Sequence, residues 1–164
     1  MKELVKISVI HVAVAVAAAC AREQPAASSG AVAMSPERVV AGRQAAFRLS
    51  QSNFMVMRLA SEKGAETKAL ASPARSLAHW AKALPGMFPP GTGPGVANTR
   101  ARAEIWSNRA DFERKAADYA AAAARMADAA EAGNLAEGRV QWDATWRSCG
   151  ACHDLYRSEL PAAR

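Results

Sequence analysis

The sequence predicts an all-α protein folded as an antiparallel up-down-up-down four-helix bundle, and three observations carry that prediction. The composition is rich in alanine and only 6% aromatic, with many strong helix formers and few of the β-branched runs that strands favour. Prolines and glycines divide the chain from residue 35 onward into four helical segments. All but one of the connections are short, which makes neighbouring helices antiparallel. At 164 residues and 51% hydrophobic content, the chain builds one domain with a real core rather than two.

Residues 1–19 read as an export signal. Lys2 and Lys6 give a basic start, Ile7 to Ala19 an apolar stretch, and small residues follow. The apolar run is shorter than the ~20 residues a bilayer span needs, so a secretory signal is preferred to a transmembrane anchor and the periplasm is the expected location. Cleavage fits after Ala19 or Ala21. Ala17-Ala18-Ala19-Cys20 also passes as a loose lipoprotein box, which would put a lipid anchor on Cys20 and tether the protein to the membrane. Residues 20–34, polar and rich in alanine and serine, suit a flexible tether under either reading. The globular domain is then residues 35–164.

Ser35-Pro36-Glu37 supplies a cap, a first-turn proline and an early acid for the first helix, which runs to Lys63-Gly64. The second spans roughly residues 66–83 and stops at Pro85. Pro73 either kinks it or marks its true start behind Ser72. Residues 88–102 are crowded with proline and glycine and form an ordered, irregular loop. Ser107 caps a third helix that ends at Gly133, and Asn134 with Glu137 three residues on is a capping-box variant opening the fourth, which Pro161 limits.

The fourth helix carries the chemistry. Cys149, Cys152 and His153 fall at i, i+3 and i+4, so two sulfurs and a ring nitrogen gather on one face within a single turn. C-x-x-C-H is the attachment signal for c-type haem: the thiols add to the vinyl groups and the adjacent imidazole binds the iron. Three other readings compete. A thioredoxin-like pair wants its C-x-x-C behind a strand, and nothing suggests a sheet. A structural zinc site would need a fourth ligand, and outside the signal only His79 remains as a second histidine. An exported dithiol left empty would tend to close into a short, strained disulfide. One covalent haem c is the preferred reading. The formal net charge of +6 is spread among acids rather than gathered in a stripe, which argues against nucleic acid as a partner.

With "CGACHDLYR" at the C-terminal end, "GRQAAF" in the first helix, "ALPGMFPPGT" leading into the loop and "TRARAEIWS" before the third helix, residues 35–160 resemble the cytochromes c′, the class II c-type cytochromes. The resemblance implies a haem between helices, held by Cys149 and Cys152 and ligated by His153, and a homodimer through the first two helices. Pro73 departs from the family pattern. Low-spin relatives place a methionine four residues after the arginine of the first-helix motif. Here Phe47 stands four residues after Arg43, so the resemblance implies a five-coordinate, high-spin iron with an apolar distal wall. Phe47 is equally plain core. Met55, Met57 and His79 are the other candidate sixth ligands, although core filler and a partly exposed histidine are the preferred roles.

The resemblance makes Arg43 a partner for a haem propionate and Gln44 a neighbour on the same edge; without it, Arg43 is an exposed helix arginine. Arg157, one turn after His153, would lie beside the proximal face. Tyr156, Arg102 and Glu104 would border the haem. A hydrophobic distal side without an evident donor disfavours dioxygen and suits NO, with CO a weaker ligand. In the family the histidine is released when NO binds, leaving the gas near the arginine. The expected protein is therefore an exported NO-binding cytochrome. A low-spin, six-coordinate periplasmic electron carrier with its own redox partner is the alternative. Weak peroxidase or NO reductase chemistry is a further one, and no distal acid or base is evident to assist it.

Overall fold

The computed structural model describes residues 34–159. The export signal at residues 1–19, Cys20, the tether up to residue 33 and Pro161 lie outside the described residues.

Four helices form where the local chemistry starts and stops them: α1 Pro36–Glu62, α2 Ala71–Ala83, α3 Arg109–Glu131 and α4 Leu135–Tyr156. Ser35 caps α1, its hydroxyl accepting from the Arg38 N–H at 3.4 Å, and Pro36 occupies the first helical position, where an N–H would go unused. Gly64, at φ +81°, follows the end of α1. A single turn of 3₁₀ helix, Thr67–Leu70, leads into α2. Pro73 is the third residue of α2, within the first turn, and its missing N–H removes no helical bond there. It marks the start of the helix and does not kink it, and the predicted stretch from 66 to 70 is a separate turn.

The third helix differs from expectation at its start. Ser107 does not cap it; Glu104–Ser107 is already one helical turn, and Asn108 stands at the cap position of α3 without a side-chain cap bond. Tertiary packing explains the extra turn: Ile105 is buried and the Trp106 indole donates to the Pro89 carbonyl at 3.1 Å. At the far end of α3, the Gly133 N–H bonds to the Ala130 carbonyl and the Asn134 N–H to the Ala129 carbonyl, with Gly133 at φ +70°. This is a Schellman closure that a residue with a Cβ would strain. Asn134 then caps α4, its side chain accepting from the Glu137 N–H at 3.1 Å. The Glu137 carboxylate does not complete the capping box and accepts from Gln141 instead.

Long-range bonds establish the antiparallel order. The start of α1 (Arg43), the residues after α2 (Met87, Thr92), the start of α3 (Asp111) and the end of α4 (Tyr156) meet through hydrogen bonds at one end. Met57, Leu70, Met126 and Leu135 meet around a cavity at the other. The helices therefore run up, down, up and down. Alanines 116, 123, 127 and 130 on α3 are buried, and their small side chains let α3 pack closely against both α2 and α4. α1 packs closely on α2, whereas α1 and α4 are not among the closely packed pairs. On the outward face of α1, Leu49, Val56 and Leu59 are more than half exposed.

Candidate functional site

The end of α4 presents Cys149, Cys152 and His153 within its last two turns. Both cysteines are free thiols, half-buried against the hydrophobic core. The structure thus holds no disulfide between them, and among the described residues no three His, Cys, Asp or Glu side chains converge as a metal cluster, so nothing supports the zinc reading. Burial pushes the Cys149 thiol up, and burial followed by the nearby Cys149 charge pushes Cys152 up to about 11. Burial, and then the Arg157 and Arg100 charges, hold His153 below the usual imidazole range. The imidazole is therefore neutral at pH 7, with a lone pair available to a metal.

α4 ends because its last residues are tied to the loop before α3. The Arg102 N–H bonds to the Tyr156 carbonyl at 3.0 Å, the Ser158 N–H to the Arg100 carbonyl at 2.9 Å, and Ala101 bridges Arg157 in antiparallel fashion. This pairing, rather than Pro161, stops the helix at Tyr156. The Tyr156 hydroxyl donates to Asp111 at 2.6 Å, and its ring meets Phe112 edge-on at 5.3 Å. Arg157 itself is exposed, close enough to His153 to influence its charge. Arg102 and Glu104 are exposed and paired with each other at 2.9 Å.

The facing wall comes from α1 and α2. Phe54 stacks on Trp142 at 3.4 Å between centroids and lies nearly parallel to Trp146 at 6.1 Å, which sets the register of α1 against α4. Phe47 lies seven residues before Phe54, and Cys149 and His153 lie seven after Trp142 and Trp146, each about 10 Å along its antiparallel helix. Phe47 is therefore level with the turn Cys149–His153. It is half-buried, its ring perpendicular to Trp80 at 5.2 Å and edge-on to Phe88 at 6.3 Å. Met57 is ten residues further on, about 15 Å along α1, in the core beside the distant cavity of about 360 Å³. Met55 and His79 are exposed, so Met55 is not the core filler expected of it. Met87, in the 3₁₀ turn Leu84–Met87, is half-buried at the site end and escaped sequence reasoning.

Arg43 is not an exposed helix arginine. It is 2% exposed and clasps the loop: Nη1 donates to Thr92 Oγ1 at 2.8 Å and Met87 O at 3.4 Å, Nη2 to Thr92 O at 2.6 Å and Thr99 Oγ1 at 2.7 Å. Its guanidinium also lies over the Phe88 ring at 4.4 Å. Burial lowers its proton affinity, and among the described residues no carboxylate pairs with it. Gln44 donates to the Asn98 carbonyl at 2.9 Å, fastening the same loop. Thr92 and Thr99 were legible only as letters of the loop; their role depends on where the chain returns.

These residues fit a haem on four counts. Two free thiols and a neutral imidazole share one face of α4. α1 and α4 are not closely packed. Arg43 is a buried cation for which a propionate would supply the missing negative charge, its Nη donors being engaged and its Nε–H left over. Trp80 carries a buried indole N–H with no partner, a vacancy that costs about 1–3 kcal/mol unless another group fills it.

Comparison with known proteins covers this part of the chain. The family model described as Cytochrome C′ matches residues 38–157. The cytochrome c′ of Alcaligenes xylosoxydans xylosoxydans is 34% identical over 129 residues, which is 76% of this chain and 96% of that protein. The crystal structure of cytochrome c′ from Thermochromatium tepidum is similar with a TM-score of 0.70 at 27% identity, covering 77% of this chain and 98% of that one. The nitric oxide complex of a single-residue variant of cytochrome c prime from Alcaligenes xylosoxidans has a TM-score of 0.69 at 31% identity, covering 76% and 97%.

Proposed function

We propose, from the premise that the chain belongs to the cytochrome c′ family, that it is an exported c-type cytochrome whose five-coordinate haem binds NO and, more weakly, CO. A covalently attached c-type haem is the cofactor of the family and of this chain. Cys149 and Cys152 are the residues that would hold it, and the His153 imidazole would ligate its iron. When bound, the haem supplies an iron that takes up a diatomic gas or an electron.

The observation that carries the reading is Phe47, level with the turn Cys149–His153 on the opposite wall. A phenyl ring has no lone pair, so it closes the far side of the site to a strong sixth protein ligand while leaving it apolar. Arg43 holds the loop over this end of the bundle and keeps one N–H for a propionate, and Arg157 places positive charge near His153. The solved nitric oxide complex of a relative supports NO as the ligand class. The exposed Leu49, Val56 and Leu59 on α1 support a homodimer through the first two helices. Residues 1–19 support export to the periplasm, and Cys20 a lipid tether; no helix among the described residues is long and apolar enough to cross a membrane.

Optical spectra of the purified holoprotein, oxidised and reduced, with and without NO, test this. High-spin bands that shift on adding NO are expected. A low-spin spectrum indifferent to NO would overturn the reading, make the protein an electron carrier and point to Met87 as the sulfur donor. Phe47→Met is expected to convert the high-spin spectrum to a low-spin one with weaker CO uptake.

A further inference from the structure

His153 lies in the last turn of α4, which ends at Tyr156. A helix leaves its last carbonyls without intrahelical donors and frays there, so this is an unfavourable place for a residue that must keep one position. Here the turn is pinned. The Tyr156 carbonyl accepts from the Arg102 N–H at 3.0 Å, and the His153 carbonyl accepts at 3.0 Å from the N–H of Arg157, which itself bridges Ala101. One residue further on, the Arg100 guanidinium donates to the Ser158 carbonyl at 2.8 Å. Side chains add a tie to a different element. Tyr156 is 4% exposed, and its hydroxyl donates at 2.6 Å to Asp111 in the first turn of α3, whose other carboxylate oxygen pairs with Arg114. On the other side of His153 stands Cys152, and a thiol joined to haem would fix that end. The turn that carries the imidazole is then held from both directions.

We propose that Tyr156, through its bond to Asp111, is a positioning residue for His153 that sets how firmly the imidazole is held against the haem iron. The proposal rests on the reading of His153 as the ligand of a five-coordinate iron and refines it. Tyr156 acts through the backbone of the turn rather than by contact with the metal. An imidazole on a pinned turn meets the iron at one distance and one angle, and it returns there after each excursion; on a frayed turn it samples many. The backbone pairing with residues 100–102 fixes where the turn ends, and the Tyr156–Asp111 bond fixes it against α3, so the two ties together restrain the axial ligand in more than one direction.

The test is the iron–histidine stretching band of the reduced, ligand-free holoprotein, read by resonance Raman and compared with Tyr156→Phe, which keeps the ring against Phe112 and removes only the hydroxyl. The band should broaden and move to lower frequency, and Asp111→Ala, which removes the same bond from the other side, should move it the same way. Met126→Ala, at the far end of the bundle, should lower stability without moving the band, which separates positioning of the ligand from a general loss of stability. A band unmoved in either the Tyr156 or the Asp111 variant, or moved as far by Met126→Ala, would overturn the positioning role while leaving the five-coordinate reading intact. Absence of an iron–histidine band from the unsubstituted protein would overturn both.

Discussion

Arg43 offers the sharpest test of how the site end is built. Its three short bonds, at 2.6, 2.7 and 2.8 Å, reach residues 49 and 56 positions away in sequence. A hydrogen bond from a charged donor contributes about 1.5–3 kcal/mol. Taking a guanidinium out of water costs several kcal/mol, so the net effect is well below the sum of the bonds. Arg43→Ala leaves the Thr92 carbonyl and the two threonine hydroxyls short of a partner and opens a hole in their midst. The expected loss is about 2–5 kcal/mol, the range for truncating a large buried side chain, with the neutral acceptors left unpaired adding to it and the removal of a buried charge offsetting part of it. Arg43→Met fills most of the volume and buries no charge, so it should lose only about 1–3 kcal/mol. Urea unfolding of the holoprotein, read from the midpoint at constant slope, gives the ranking, and amide hydrogen exchange across residues 92–99 should lose protection in both variants. An alanine variant within 1 kcal/mol of the parent, with the loop still protected, would refute the assignment of Arg43 as the clasp.

Three further outcomes are expected. Phe112 is 1% exposed and meets Phe88 and Tyr156 edge-on at 5.1 and 5.3 Å, so Phe112→Ala should cost about 3–5 kcal/mol in the same urea assay, and a loss under 1 kcal/mol would count against a shared aromatic core. Burial, and then its bond to Asp111, push the Tyr156 hydroxyl up to about 12 from an unfolded value of about 10. The folded state therefore keeps a proton that the unfolded chain loses, and this contribution, full below pH 10, falls away between about pH 10 and 12. Tyr156→Phe should flatten that slope, leaving the part that Tyr119 supplies, whose hydroxyl burial also pushes up. At the acid end, the Tyr156 hydroxyl holds Asp111 below its usual range, a contribution present above the ordinary carboxylate pKa and lost as pH falls through the lowered value; Tyr156→Phe should weaken acid resistance too. Finally, replacing Cys149 and Cys152 together with alanine should leave haem that separates from the chain on a denaturing gel, whereas each single variant retains one thioether; haem that stays with the double variant would remove the thiols from their role.

The sequence by itself determined what a few neighbouring residues can enforce. Ser35-Pro36 opens α1, Gly133-Asn134 turns α3 into α4, and Cys149, Cys152 and His153 share a face because 3.6 residues make a turn. Each is a matter of local backbone geometry or of spacing within one helix, so four helices and the haem motif were legible. Only the tertiary structure decided the rest. Ser107 has the chemistry of a cap but lost the role to packing of Ile105 and Trp106. Pro161 could have ended α4, yet pairing with residues 100–102 ended it sooner. Arg43 became a buried clasp rather than a surface charge, and Trp80 was left with a sealed, unpaired N–H. These features depend on contacts between residues distant in sequence, 44 positions from Arg43 to Met87 and 58 from Arg100 to Ser158. No local propensity encodes them, because whether a polar group is satisfied depends on which distant segment the fold brings to it.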